Sequence, residues 1–171
     1  MKTAYLQFLC TSMYKMDSLD EVQFNKRANE YGYAQFCAAM RTIRFDAGRQ
    51  TGKSTAIRDF IKWVSNTHSV IHISHNTDAA DGEKQKFVNE YGKLSSFRND
   101  IMFIGGGSRY YFNKMIYNHV TKNEITLNRP VIIIDEPMSF DVMRAAQEYL
   151  NNYPIHNPYN DLPIFIIVGM Q

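Results

Sequence analysis

Ala47-Gly48-Arg49-Gln50-Thr51-Gly52-Lys53-Ser54 is the stretch from which the rest of the chain takes its order. Thr42-Ile43-Arg44-Phe45-Asp46 before it reads as a strand, and Thr55 to Asn66 after it reads as a helix. Strand, glycine-containing loop, Lys-Ser and helix in succession is the context that a phosphate-binding loop requires. Gly52 can take backbone angles closed to other residues and lets the chain approach a phosphate closely. Successive loop N–H groups and the free N–H groups of the helix start make an anion nest. Lys53 is expected to reach the β and γ phosphates of ATP, and the Ser54 hydroxyl to take one position on Mg2+. Gly48, Arg49, Gln50, Thr51 and Thr55 complete the expected nucleotide-binding set. The spacing departs from the motif at its first position, where Ala47 replaces glycine and Gly48 comes one residue late. The plain alternative is a turn and helix start that merely contain Gly-Lys-Ser.

A second motif argues against that alternative. Val131-Ile132-Ile133-Ile134 is a run of four apolar, β-branched residues, which suits a central strand covered on both faces. It ends in Asp135-Glu136. Ligands of open α/β sheets bind at the carboxyl ends of such strands. Asp135 is expected to hold Mg2+, directly or through water. Glu136, next in line, is expected to orient and polarise a water in front of the γ phosphate. An apolar strand and a helix lie between the loop unit and the Asp-Glu strand. That order favours the class of ATPases in which another strand separates the two motif strands.

The remaining elements alternate around these two. Residues 3 to 16 read as a helix or an extended cap, with Leu6, Leu9, Met13 and Met16 apolar. Ser18 or Asp20 is placed to cap a second helix, broken at Gly32, and Ala34 to Arg41 reads as a third. Ile57, Phe60, Ile61 and Val64 recur at helical spacing after the loop. Ser69 to Ser74 is a strand, Thr77 or Asp78 opens a helix to Tyr91, and Ile101 to Ile104 is a strand. Tyr110 to Met115 reads as a short strand or turn. Phe140 to Leu150 is a helix, Asn151 to Pro163 a loop, and Ile164 to Val168 a last central strand. The expected fold is α/β: a three-layer P-loop NTPase with a mostly parallel central sheet. Residues 1–41 form an N-terminal helical lid or packing segment and 42–171 the ATPase core, in one compact domain.

The totals bound the partners. The 171 residues can bury about two-thirds of their unfolded surface. Nineteen Lys and Arg against 17 Asp and Glu leave a net charge of +2, which argues against a dedicated basic binding domain. Cys10 and Cys37 form neither a metal spacing nor a disulfide framework, as suits a reducing interior. The apolar run Tyr5 to Cys10 is too short to span a membrane.

From Gly48 to Thr55 the sequence resembles the ATPase domain of phage large terminases, motors of the additional-strand class that package double-stranded DNA into empty capsids. The resemblance covers about residues 30 to 171. It implies that Arg49 senses or stabilises the γ phosphate, and a guanidinium there would offset transition-state charge. It implies that Gln35 contacts adenine, with Tyr33 stacking on the base, although the family's usual proline is absent. Arg129 resembles a family arginine ahead of the Asp-Glu strand. The last strand resembles the one leading to the coupling motif, but reads Val168-Gly169-Met170-Gln171 in place of a hydroxyl-containing triplet. Double-stranded DNA, a homo-oligomeric ring on a portal or procapsid, a small terminase subunit and a separate nuclease domain are the partners implied. The implied place of work is the host cell cytoplasm. Two other readings remain open: a helicase- or recombination-type ATPase, and a nucleotide-dependent assembly switch with slow turnover.

His68, His72 and His75 lie around the second strand without the ligands that would complete a metal site, and read as strand-end residues. Gly105-Gly106-Gly107 followed by Ser108, Arg109, Tyr110 and Tyr111 suits phosphate and base contacts, or else a flexible turn over packed tyrosines.

Overall fold

A computed structural model describes residues 2–45, 52–105, 126–135 and 141–169. Gly48, Arg49, Gln50, Thr51 and Glu136 lie outside the described residues, as do Tyr110 to Met115, Met170 and Gln171.

Five strands form one sheet: β1 (Thr42–Phe45), β2 (Val70–Ser74), β3 (Ile101–Gly105), β4 (Val131–Asp135) and β5 (Ile164–Val168). Their order across the sheet is β1-β5-β4-β2-β3, and every described pairing is parallel. Strand β5 therefore separates β1 from β4, so the strand ahead of Gly52-Lys53 and the strand ending in Asp135 do not touch. The alternation of side chains along each strand sorts the core into two layers. Ile132, Ile134, Phe165 and Ile167 face one side; Val131, Ile133, Ile166 and Val168 face the other. Strands β4 and β5 are buried on both faces, as parallel strands must be when helices cover each side.

Helix α4 (Lys53–Val64) and α5 (Thr77–Tyr91) cover the second face. Ile57, Phe60, Ile61 and Val64 of α4 are all buried there, at the spacing read from the sequence. Helix α6 (Val142–Asn152) covers the first face with Val142, Ala145, Ala146 and Tyr149. The N-terminal helices divide between the faces. Helix α1 (Lys2–Met16) joins α4 through Leu9 and Met13, while α2 (Glu21–Tyr31) and α3 (Tyr33–Met40) join α6 through Phe24, Ala28, Phe36 and Cys37.

Local chemistry sets the ends of these helices. Asp20 caps α2 by accepting from Gln23 N, and Gly32 at φ +78° ends it. The cap of α5 is Asn76, one residue before the expected Thr77; its side chain accepts from Ala79 N at 2.8 Å. Residues 151–163 are not all loop. Asn157 accepts from Tyr159 N and Pro158 supplies a preset φ, so Pro158–Asp161 closes as a short helix, α7.

Arg129 lies before the amino end of β4, the end remote from Asp135. It takes a positive φ of 46°, donates to Asp17 at 2.6 Å and sits over the Tyr159 ring. Its described contacts tie the α1–α2 junction to the foot of the sheet.

Candidate functional site at the carboxyl edge of the sheet

Two features of backbone place the head of α4. Gly52 sits at φ +80°, ψ 15°, a left-handed geometry that turns the chain into the helix. Ala56 N donates to Gly52 O at 3.0 Å as the first helical bond. The N–H groups of Lys53, Ser54 and Thr55 thus precede any intrahelical acceptor, and no side chain caps the helix. A helix that begins so turns the positive end of its dipole toward this edge.

Asp135 closes β4 at the same edge. Lys53 Nζ lies 3.6 Å from Asp135 Oδ1, with the two side chains only 12% and 17% exposed. The ammonium reaches across the end of β5 to make this approach. Beside the pair is a cleft of about 350 Å3, lined by Ser54 and Asp135 together with Ser74, His75, Asp78 and Glu83. A larger cavity of about 440 Å3 lies elsewhere, between the N-terminal helices and β1, and contains neither Lys53 nor Asp135.

The inner wall of the cleft comes from β2. Ser74 is buried, and among the described residues its Oγ has no hydrogen-bond partner. His72, two residues earlier and facing the same way, packs against the Phe103 ring at 5.5 Å. Burial pushes its pKa down to about 4, so the ring is neutral at pH 7. Its Nε2 at 3.9 Å from Asp135 Oδ2 is therefore a packing approach and not an ion pair. His75 lines the cleft, while His68 is at the other end of β2 with Nε2 3.4 Å from Asp17.

The outer wall is α5, held to α4 by a charged clamp that sequence reading missed. Arg58 donates to Glu83 at 2.9 Å and to both Glu90 oxygens at 2.8 and 3.0 Å. Lys86 Nζ adds a contact to Glu83 at 2.8 Å. Burial alone would raise the Glu83 pKa, but the Lys86 ammonium and the Arg58 guanidinium outweigh it and hold the carboxyl below its ordinary range. The signal was present: Arg58 sits in the same apolar helix turn as Ile57 and Phe60, where a cation needs a partner.

Lys53, Ser54 and Asp135 are thus brought together, with Gly52 setting the helix that carries two of them. Thr55 follows in the same turn, within 3.4 Å of Arg58 Nη2. Tyr33 and Gln35 stand on α3, on the opposite face from α4. The Tyr33 hydroxyl donates to Asn29 at 2.9 Å, Gln35 is exposed, and neither lines the cleft.

The donor set fits Mg2+. A hydroxyl and a carboxylate face one cleft, and Mg2+ asks for few protein ligands because it keeps waters and takes phosphate oxygens. Among the described residues no group of three His, Cys, Asp or Glu side chains could hold a metal unaided. Nor is any described helix long and apolar enough to cross a membrane.

No protein-family model matches the chain. Over 151 residues it is 28% identical to an uncharacterized 25.0 kDa protein in the regB-denV intergenic region of Enterobacteria phage T4. The match takes in 80% of this chain and 63% of that relative, so the chain spans less than two-thirds of the relative's length. The likeness is therefore to a phage protein.

Proposed function

We propose that the chain is a Mg2+-dependent ATPase of the P-loop type whose turnover drives the movement or packaging of double-stranded viral DNA. The observation that carries the nucleotide part is the approach of Lys53 to Asp135 across β5, at the head of an uncapped helix that begins at a left-handed glycine. A cation and a carboxylate at this separation, at the positive end of a helix, suit a triphosphate with Mg2+. The DNA part rests on the terminase resemblance and accords with the likeness to a phage protein.

In this reading the N–H groups of Lys53, Ser54 and Thr55 and the Lys53 ammonium bind the β and γ phosphates. Ser54 and Asp135 would hold Mg2+, which when bound neutralises phosphate charge. Arg49 offsets charge on the transferred group. Glu136 accepts a proton from the attacking water as its oxygen bonds to the γ phosphorus and ADP leaves.

The test is ATP turnover by the purified chain with Mg2+, with and without double-stranded DNA, beside Lys53→Ala. The expected result is turnover that DNA raises and Lys53→Ala abolishes. Turnover that ignores DNA would favour an assembly switch, and turnover unchanged in Lys53→Ala would remove the phosphate-loop assignment.

A further inference from the structure

The free side of β1 is the most distinctive surface outside the candidate site. Phe165 N donates to Arg41 O at 2.8 Å and Gly169 N to Phe45 O at 3.0 Å. Alternate residues of a strand direct their backbone groups to opposite sides, so Ile43 also faces β5 while Thr42 and Arg44 turn N–H and C=O outward. Among the described residues no strand lies on that outer side. Instead there is a cavity of about 440 Å3. Helix α1 forms one wall with Phe8 and Lys15, α2 and α3 form the other with Arg27 and Met40, and β1 is the floor.

Its charge is one-sided. Lys15, Arg27, Arg41 and Arg44 line it, and among the described residues no aspartate or glutamate does. Arg41 is 1% exposed, donates to the carbonyl oxygens of Pro163 and Leu162 at 3.2 and 3.1 Å, and among the described residues has no carboxylate within ion-pair distance. Asp17 is engaged by Arg129 at 2.6 Å and His68 at 3.4 Å. Four cations around an open strand edge favour an anionic occupant with backbone donors and acceptors of its own. Nucleic acid fits less well. It offers no ladder of amides, and the rings of Phe24 and Phe36, at 1% and 2% exposure, are closed to base stacking.

We propose that this groove docks an extended acidic segment of a partner protein, which adds to the sheet beside β1. Its backbone pairs with Thr42 and Arg44. Its acidic side chains meet Arg27 and Arg44 on the α2/α3 side, and its alternate, apolar ones meet Phe8 on the α1 side. The proposal stands apart from the nucleotide site.

The probe is a fluorescein-labelled heptapeptide, Asp-Val-Glu-Val-Asp-Ile-Glu, with its all-lysine counterpart as control, titrated with the full chain and read by anisotropy. Saturable binding of the acidic peptide is expected, about tenfold or more tighter than the lysine peptide. Arg44→Pro removes an outward N–H without touching the β5 ladder, and Arg27→Glu reverses one wall charge. Each should weaken binding about tenfold. Arg27→Glu, on an exposed helix surface, should leave the melting temperature unchanged, and so keeps the test decisive if Arg44→Pro fails to fold. Absence of binding, equal binding of the lysine peptide, or indifference to Arg27→Glu would overturn the proposal. So would tighter binding of an oligothymidylate of equal charge, or self-association by sedimentation that Arg27→Glu abolishes.

Discussion

Lys53 Nζ stands 3.6 Å from Asp135 Oδ1 although their strands are not neighbours, because β5 lies between β1 and β4. Adjacent strands are about 4.8 Å apart, so the backbones at the two strand ends are separated by roughly 10 Å. Only a long side chain at the very start of α4 spans that gap. Lys53 and Asp135 are thereby held at the same carboxyl edge of the sheet.

A double-mutant cycle tests whether the two act on one ligand. Lys53→Ala and Asp135→Asn should each weaken Mg2+-ATP binding and turnover. Residues sharing one partner are non-additive, so the coupling energy should be about 0.5–3 kcal/mol. Calorimetric ATP affinities of the four proteins give that number; strict additivity would mean that the pair does not share a nucleotide.

Glu136→Gln separates binding from chemistry. The amide keeps size and hydrogen bonding but cannot take the proton of the attacking water. ATP affinity should be retained while turnover falls by about 10²–10⁴-fold, the usual worth of a positioned base. Single-turnover hydrolysis measures this, and wild-type turnover in the variant would strip Glu136 of the role.

The Arg58 clamp predicts an acid-side loss of stability. The carboxyl groups of Glu83 and Glu90 are held below their ordinary value of 4.5: at Glu83 the lysine and arginine partners overcome burial, and at Glu90 the hydrogen bond from Arg58 leads. A depressed folded pKa contributes stability that is present above the unfolded value and is lost as pH falls through the folded one. Urea midpoints should therefore hold steady down to about pH 4.5 and drop below it. Arg58→Leu leaves a partly buried Glu83 to Lys86 alone, should cost about 1–3 kcal/mol at pH 7, and should flatten that acid-side drop. An unchanged acid limb in Arg58→Leu would place the titration elsewhere.

Much of this architecture was legible because periodicity reports burial directly. The stripe of Ile57, Phe60, Ile61 and Val64 gave α4 its face, and the unbroken apolar runs of β4 and β5 announced strands covered on both sides. The separation of β1 from β4 by another strand was an expectation from element order, and the pairing of β5 with both bears it out. That Lys53, Ser54 and Asp135 meet at one edge was legible from a glycine turn opening a helix and a later apolar strand ending in an acid. The outer wall of the cleft was not: Arg58 meets Glu83 and Glu90 only because α4 and α5 share one face. The short helix at Pro158–Asp161 was hidden in a stretch rich in Asn, Tyr and Pro, which composition alone reads as loop.

Two glycines should respond differently to the same methyl group. At Gly52 an added Cβ would lie 3.5 Å from Lys2 Cβ, an ordinary contact, so the cost of Gly52→Ala comes from the φ of +80° alone. That strain is about 1–2 kcal/mol, and Gly52→Asn should recover part of it because asparagine tolerates left-handed backbone. Gly105 raises a packing problem instead. It ends β3 against the first turn of α5, and an added Cβ would lie 2.2 Å from Thr77 Cα, inside any permitted contact. Neither partner is a flexible side chain, so Gly105→Ala must push α5 away from β3, at a cost of about 3 kcal/mol or more, and Asn should relieve nothing. Because α5 carries Glu83 and forms the outer wall of the cleft, the displacement should also loosen the clamp to Arg58. Thermal midpoints of the four variants should then fall in the order Gly52→Asn, Gly52→Ala, and last the two Gly105 substitutions together. A Gly105→Ala protein as stable as Gly52→Asn would show that β3 and α5 are not packed as closely as this.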